Sequence, residues 1–279
     1  MTAGAHRTAA RARAATTLLF VPGDRPDRFG KATAAGASLV VLDLEDGVAP
    51  DRKVYAREQV VTWLAEHREC AVRVNAAGTA WHDEDLAVLR ERLCTVMLPK
   101  ADPESTRTAA KLLGMLPVLI ALVETARGVL DARQTAAVPN VHRLALGTFD
   151  LAAELGADPA DREALAAARG ALVLASAAAG LPGPVDGVTA DLNNELQLID
   201  EVRNARRLGF TGKLCVHPKQ VPVATEVLRP TREETHWAQS VLDAAGSGGA
   251  ISVDGRLVDK PVLDRARHIL RQAREGIGT

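Results

Sequence analysis

Cysteine is scarce in this chain. Cys70, Cys94 and Cys215 are the only three in 279 residues. They are odd in number, widely separated and set in apolar runs, which excludes a disulfide framework and predicts buried reduced thiols in a cytoplasmic protein. Long apolar runs are missing too: no stretch approaches the roughly 18 residues that a membrane helix needs. An excess of charge of one sign is also absent. The formal net charge is -1, from 34 Lys and Arg against 35 Asp and Glu, so neither nucleic acid nor a membrane surface is an expected partner. No His/Cys spacing matches a zinc site, and there is no Walker loop or dinucleotide fingerprint. Residues 1–15 are rich in Ala and Arg without an apolar stretch; they read as a disordered leader rather than a secretory signal.

What the chain does contain is an alternation. Eight short apolar runs begin at Leu18, Leu39, Ala71, Thr95, Val118, Arg143, Val185 and Lys213. Between them lie stretches of helical composition and spacing, such as 53–67, 161–179 and 194–208. Asp83 and Ser105 read as helix N-caps, and Gly114, Gly180 and Gly209 as C-terminal caps. Eight such units predict an α/β fold, a TIM (β/α)8 barrel over residues 16–230. The pattern changes after His217-Pro218. Residues 231–279 read as a short C-terminal helical extension, a lid or subunit contact, with a helix over 231–245, a break at 246–249, a hairpin turning at Asp254-Gly255 and a last helix over 261–272.

Charged residues end most of the apolar runs, at the edge where a barrel keeps its chemistry. The run from Val118 stops on Glu124, and that from Leu144 stops on Asp150. A carboxylate ending a strand buried on both faces needs a partner. Two of them on neighbouring strands would meet, and oxygen-only ligation favours Mg2+, or Mn2+, over zinc. A pair of helix N-caps is the alternative. Arg73, inside Val72–Asn75, suits a bidentate clamp on a substrate carboxylate or on charge developing at an oxygen; a structural ion pair with a neighbouring strand's acid is the other reading. Asp43, Glu45 and Asp46 surround one strand end, with Asp43 and Glu45 on the same side by alternation. Basic side chains at Arg25, Arg28 and Lys31, around a turn and helix start, would suit phosphates; a solvated helix face is the other reading. His217 ends the eighth run as base, substrate contact or structural residue.

These segments together resemble a known family. Leu19–Phe29, Leu42–Val48, Val72–Asn75, Val96–Lys100, Leu122–Gly128 and Val216–Gln220 are similar, in order, to the motifs of citrate lyase β-subunit-like proteins. These belong to the HpcH/HpaI aldolase/citrate lyase superfamily of Mg2+-dependent TIM barrels acting on acyl thioesters. The resemblance implies a carbon–carbon lyase that cleaves or forms a malyl-, citramalyl- or citryl-type 3-hydroxyacyl-CoA, giving a 2-oxo acid and acetyl-CoA. It implies a homotrimer, with Glu124 and Asp150 as metal ligands, Glu124 and Arg73 at the oxo acid, and Arg25 and Lys31 at coenzyme A. Asp46, reaching a neighbouring subunit's site, and Asp259 in the tail would be catalytic acids alongside Arg73. Thr16-Thr17 stands where many members read Arg-Ser. A free oxo-acid aldolase of the same superfamily, or a β-type subunit dependent on an acyl-carrier partner, are the alternatives.

Overall fold

A computed structural model describes residues 3–66, 69–245, 252–253 and 256–275. Eight parallel strands close into a barrel in chain order. They are β1 Thr17–Pro22, β2 Leu39–Asp43, β3 Ala71–Arg73, β4 Thr95–Leu98, β5 Val118–Val123, β6 Val141–Leu146, β7 Val185–Asp186 and β8 Gly212–Cys215, with β8 pairing back onto β1. Each coincides with one of the eight predicted runs. The reason is burial on both faces: in β5 all six residues are buried, and a strand covered on both sides must be apolar throughout. Every second residue, Val118, Ile120 and Leu122, joins the barrel interior with Leu39, Val41, Met97 and Leu214. The three cysteines are buried. Burial pushes the Cys94 and Cys215 thiols up to about 12, since a thiolate is poorly solvated there.

The leader is not a disordered segment. Residues Ala3–Ala14 form a helix whose Ala5, Ala9 and Ala12 are buried. With Ala15, the last two pack into the barrel cluster beside Leu18, Leu39 and Val118, at the amino ends of the strands. The spacing of four and three puts these methyl groups on one helix face. Arg143, on β6 and fully buried, donates from Nη1 to the Arg13 carbonyl and from Nη2 to Thr211 Oγ1 at 2.8 Å. Burial, aided by the nearby Arg13 charge, pulls its guanidinium down to about 9.

Other expectations need local correction. Asp83 and Ser105 do not cap their helices. Trp81 precedes the helix His82–Leu89 without a side-chain bond, and Asp102 caps Pro103–Leu113 by accepting from the Glu104 and Ser105 amides. Ser105, the third residue of the helix, closes that capping box. Gly114, Gly180 and Gly209 have φ of 78°, 66° and 104° at the ends of their helices, as glycine permits. His82, the first residue of its helix, is buried with Nδ1 2.7 Å from the Asn75 carbonyl.

The chain divides into two compact units, residues 1–225 and 226–279; the helix Gln220–Leu228 runs through the boundary. In the second unit the helices Arg232–Ala245 and Lys260–Glu275 pack through Ala238, Val241, Ala266 and Ile269. Ser252–Val253 pairs antiparallel with Arg256–Leu257. The predicted break at 246–249 and the Asp254-Gly255 turn lie outside the described residues.

Candidate active site

Strand register assembles the site. Asp43, the last residue of β2, lies directly opposite Arg73, the last of β3. Arg73 donates from Nε and Nη2 to the two Asp43 oxygens, each at 2.7 Å. Asp43 also accepts from the amides of Glu45 and Gly47, at 3.0 and 2.9 Å. A Cβ at residue 47 would fall 2.5 Å from Asp43 Oδ2, so only glycine leaves that carboxylate room. The Arg73 guanidinium also lies 4.8 Å above the Phe20 ring, with Nη1 2.8 Å from Glu45 Oε2 and 3.6 Å from Asp46 Oδ2. Burial opposes its charge, but Asp43, Glu45 and Asp46 outweigh that and hold it above the ordinary arginine value. The structural ion pair weighed for Arg73 is therefore present, and the side chain still lines the cleft described below. Lys53 fixes the loop after β2, donating to the Leu44 and Glu45 carbonyls at 2.7 Å each.

Glu124 follows β5 directly. It is 4% exposed, and its Oε1 accepts the Lys100 amide at 2.8 Å. Gly147, just after β6, makes space for it; a Cβ there would come within 2.3 Å of Glu124 Oε2. Glu124 does not cap the next helix. Thr125 does, accepting from the Gly128 amide. Asp150 is not at a strand end either. β6 stops at Leu146 and Asp150 sits in the first turn of a helix, Thr148–Leu155, where the sequence reads as a continuing apolar run. Both carboxylates nevertheless line one cleft of about 370 Å³ at the carboxyl ends of the strands, with Arg73 and Asp46. The rest of its wall is largely apolar, including Phe20, Leu122, Val188 and Leu214.

The acids here repel one another. Burial first, then Glu45 and Asp150, push the Glu124 carboxyl up to about 8, against the Lys100 amide and Arg73. Burial likewise raises Glu45 to about 7, with Asp46 and Asp43 adding to it and Arg73 and Lys100 opposing. Among the described residues Glu124 makes no ion pair, and its one hydrogen-bond donor is the Lys100 amide. A buried carboxylate beside two others and short of positive charge is a fitting ligand for a hard divalent cation. No group of three or more His, Cys, Asp or Glu forms a ready cage among the described residues. Two carboxylates suffice for Mg2+, which completes its shell with water and substrate oxygens.

Residues 16–218 match the family model described as HpcH/HpaI aldolase/citrate lyase, and residues 169–275 match that of C-C bond lyases of the TIM-barrel fold. The chain belongs to the HpcH/HpaI aldolase/citrate lyase family. It is 41% identical over 266 residues to a citrate lyase subunit beta-like protein of Mycobacterium tuberculosis, covering 92% of this chain and 95% of that one. It is 36% identical over 270 residues to a (3S)-malyl-CoA thioesterase of Cereibacter sphaeroides, covering 92% and 94%. The crystal structure of the CitE protein of Mycobacterium tuberculosis in complex with magnesium, acetoacetate and coenzyme A superposes with a TM-score of 0.83 at 39% identity, over 94% of this chain and 99% of that one. The resemblance seen in the motifs is thereby established, and with it the barrel and an enzyme of a lyase and aldolase family.

The remaining predicted residues are scattered. Arg25 is exposed and holds Asp27 on its own turn, at 3.0 Å from Nε and Nη2. Lys31 is exposed on the helix Phe29–Ala34. Neither lines the cleft. Asp46, expected to serve a neighbouring subunit, lines the cleft of its own chain. Asp259 belongs to the second unit, where its Oδ1 accepts the Val262 amide at 3.2 Å and caps the last helix. His217 is half-buried, with Nδ1 accepting the Lys219 amide at 3.2 Å. Lys100 is the residue that sequence reasoning undervalued. It ends a run like the other charged residues, but nothing in a Pro-Lys pair announces its left-handed backbone, with φ at 49°.

Proposed function

We propose that the protein is a Mg2+-dependent carbon–carbon lyase that cleaves, or forms, a 3-hydroxyacyl-CoA of the malyl, citramalyl or citryl type, the products of cleavage being a 2-oxo acid and acetyl-CoA. The observation that carries this reading is the buried Glu124 carboxylate, without an ion pair among the described residues, facing a cleft shared with Asp150 and Arg73. Family membership and the magnesium, oxo-acid and coenzyme A ligands of the related structure support it.

Glu124 and Asp150 would hold Mg2+ or Mn2+, which when bound supplies Lewis-acid polarisation and a template for the substrate's oxygens. Arg73 has five N–H donors, two of them committed to Asp43. Nη1 also faces Glu45 at 2.8 Å; the donors left over would bind the oxo-acid carboxylate, with the Asp43 clamp fixing the guanidinium before substrate arrives. Cleavage requires the 3-hydroxyl to lose a proton and the departing acetyl carbon to gain one. Asp46, 65% exposed at the rim, would deliver the second proton, with Asp259 the rival for that role. The apolar wall keeps water from the separating charges. Arg25 and Lys31 would meet the coenzyme A phosphates, and a homotrimer is the expected assembly.

The test is a panel of malyl-, citramalyl- and citryl-CoA with Mg2+, followed for oxo acid and acetyl-CoA. A thioester hydrolase is the second reading, favoured by the malyl-CoA thioesterase relative. It would release free coenzyme A and leave the hydroxy acid whole. Oxo-acid formation that survives both chelation and Glu124→Ala would overturn the proposal.

A further inference from the structure

Lys100 meets three acids in two different ways: Glu124 and Asp150, which line the cleft, and Glu45 beside it. Its amide donates to Glu124 Oε1 at 2.8 Å, while its Nζ lies 3.5 Å from Asp150 Oδ2 and 3.7 Å from Glu45 Oε1. The backbone that permits this is left-handed at φ 49°, a conformation that costs a non-glycine residue and persists where surrounding contacts enforce it. Both side-chain separations exceed the 2.7–2.9 Å of a direct charge-assisted hydrogen bond. The side chain is 45% exposed. An ammonium so placed is loosely held and free to move along its own flexible stem.

Its charge matters because the local balance is acidic. Asp43 is matched by Arg73 at 2.7 Å. Glu45 shares that arginine, whereas Glu124 has no ion pair among the described residues and Asp150 has Lys100. A divalent cation held by Glu124 and Asp150 would sit where the Lys100 charge now acts, and the two positive charges would repel.

We propose that Lys100 is a positioning residue whose ammonium stands in for the divalent cation between Asp150 and Glu45, holding the acids together while the metal is absent and competing with it for Asp150. This inference rests on the metal reading of Glu124 and Asp150. It adds that the protein's affinity for the ion is set below what the carboxylates alone would give, and that Lys100 yields Asp150 when the ion binds. The residue then remains at the mouth as a mobile positive charge.

The experiment is calorimetric titration of chelator-treated protein with Mg2+ and with Mn2+, for the native chain, Lys100→Gln, Lys100→Arg and Glu124→Gln, alongside the melting temperature of each in chelator. Lys100→Gln keeps the amide that holds Glu124. It is expected to bind the ion about ten-fold more tightly, and to melt at a lower temperature than the native chain in chelator but not with saturating ion. Lys100→Arg restores the charge and is expected to return affinity to within a few-fold of native. A purely structural lysine would lower stability with and without ion and leave affinity alone. Unchanged or weaker binding by Lys100→Gln, with native binding intact and lost in Glu124→Gln, overturns the Lys100 proposal alone. Absence of binding by the native chain overturns the metal reading, and this inference with it.

Discussion

Replacing Glu124 by glutamine should make the metal-free protein more stable, and increasingly so as pH rises. The Glu124 carboxyl is held at about 8 by burial and by its acidic neighbours, against an ordinary value of 4.5. Its proton is therefore retained in the folded chain long after the unfolded chain has lost it. Stability from this group is fully present below about pH 4.5 and is lost as pH climbs through 8, at a limiting slope of about 1.4 kcal/mol per pH unit. Across that window the loss reaches up to about 5 kcal/mol. Glutamine keeps an oxygen for the Lys100 amide and never ionises, so its stability curve lacks this slope. Urea unfolding in chelator at pH 5, 6, 7 and 8 reads the difference, which should grow by roughly 3 kcal/mol between pH 5 and 7. Magnesium should narrow the gap at every pH and reverse the ranking at pH 5 and 6, where the Glu124 penalty stays below about 2.7 kcal/mol. Ion at 100 times its dissociation constant stabilises the native chain by about 2.7 kcal/mol, and the variant, lacking the ligand, by much less. Parallel curves in chelator, or equal stabilisation of both proteins by magnesium, would refute the reasoning.

Three further outcomes follow from contacts described above. Gly147→Ala places a methyl group within 2.3 Å of Glu124 Oε2, at a backbone φ of -93° that alanine accepts; it should cost about 1–3 kcal/mol and weaken Mg2+ binding measured by calorimetry. Removing residues 2–14 strips three buried alanines, two of them packed in the barrel cluster, and takes the Arg13 carbonyl from Arg143; at roughly 0.8 kcal/mol per methyl group and about 1.5–3 for the charged hydrogen bond, the unfolding free energy should fall by about 4 kcal/mol, read from the urea midpoint. The double variant Arg25→Gln, Lys31→Gln should weaken coenzyme A binding about ten-fold while leaving Mg2+ affinity unchanged; equal coenzyme A affinity would remove both residues from that role.

The barrel was legible because parallel strands covered on both sides have little freedom of composition: Val118–Val123 is apolar at every position. Charges interrupting such runs stood out for the same reason, which is how Glu124, Asp150 and Arg73 were found. Other features depended on information that a single segment does not carry. The clamp of Arg73 on Asp43 is a matter of register between two strands thirty residues apart. In sequence Asp150 reads as a strand end because Gly147, Thr148 and Phe149 continue the run, yet Phe149 is exposed on a helix. The first helix escaped notice because alanine is too weakly hydrophobic to mark a buried face. Its stripe at positions 5, 9 and 12 becomes meaningful only once the barrel floor is there to receive it.

That small-residue helix has a practical bearing. It anchors the amino end of the described chain at the pole opposite the cleft, so surface immobilisation or fusion through that end would leave the reaction mouth facing solvent. Trimming the same end to tidy an expression vector would instead unseat the barrel's floor.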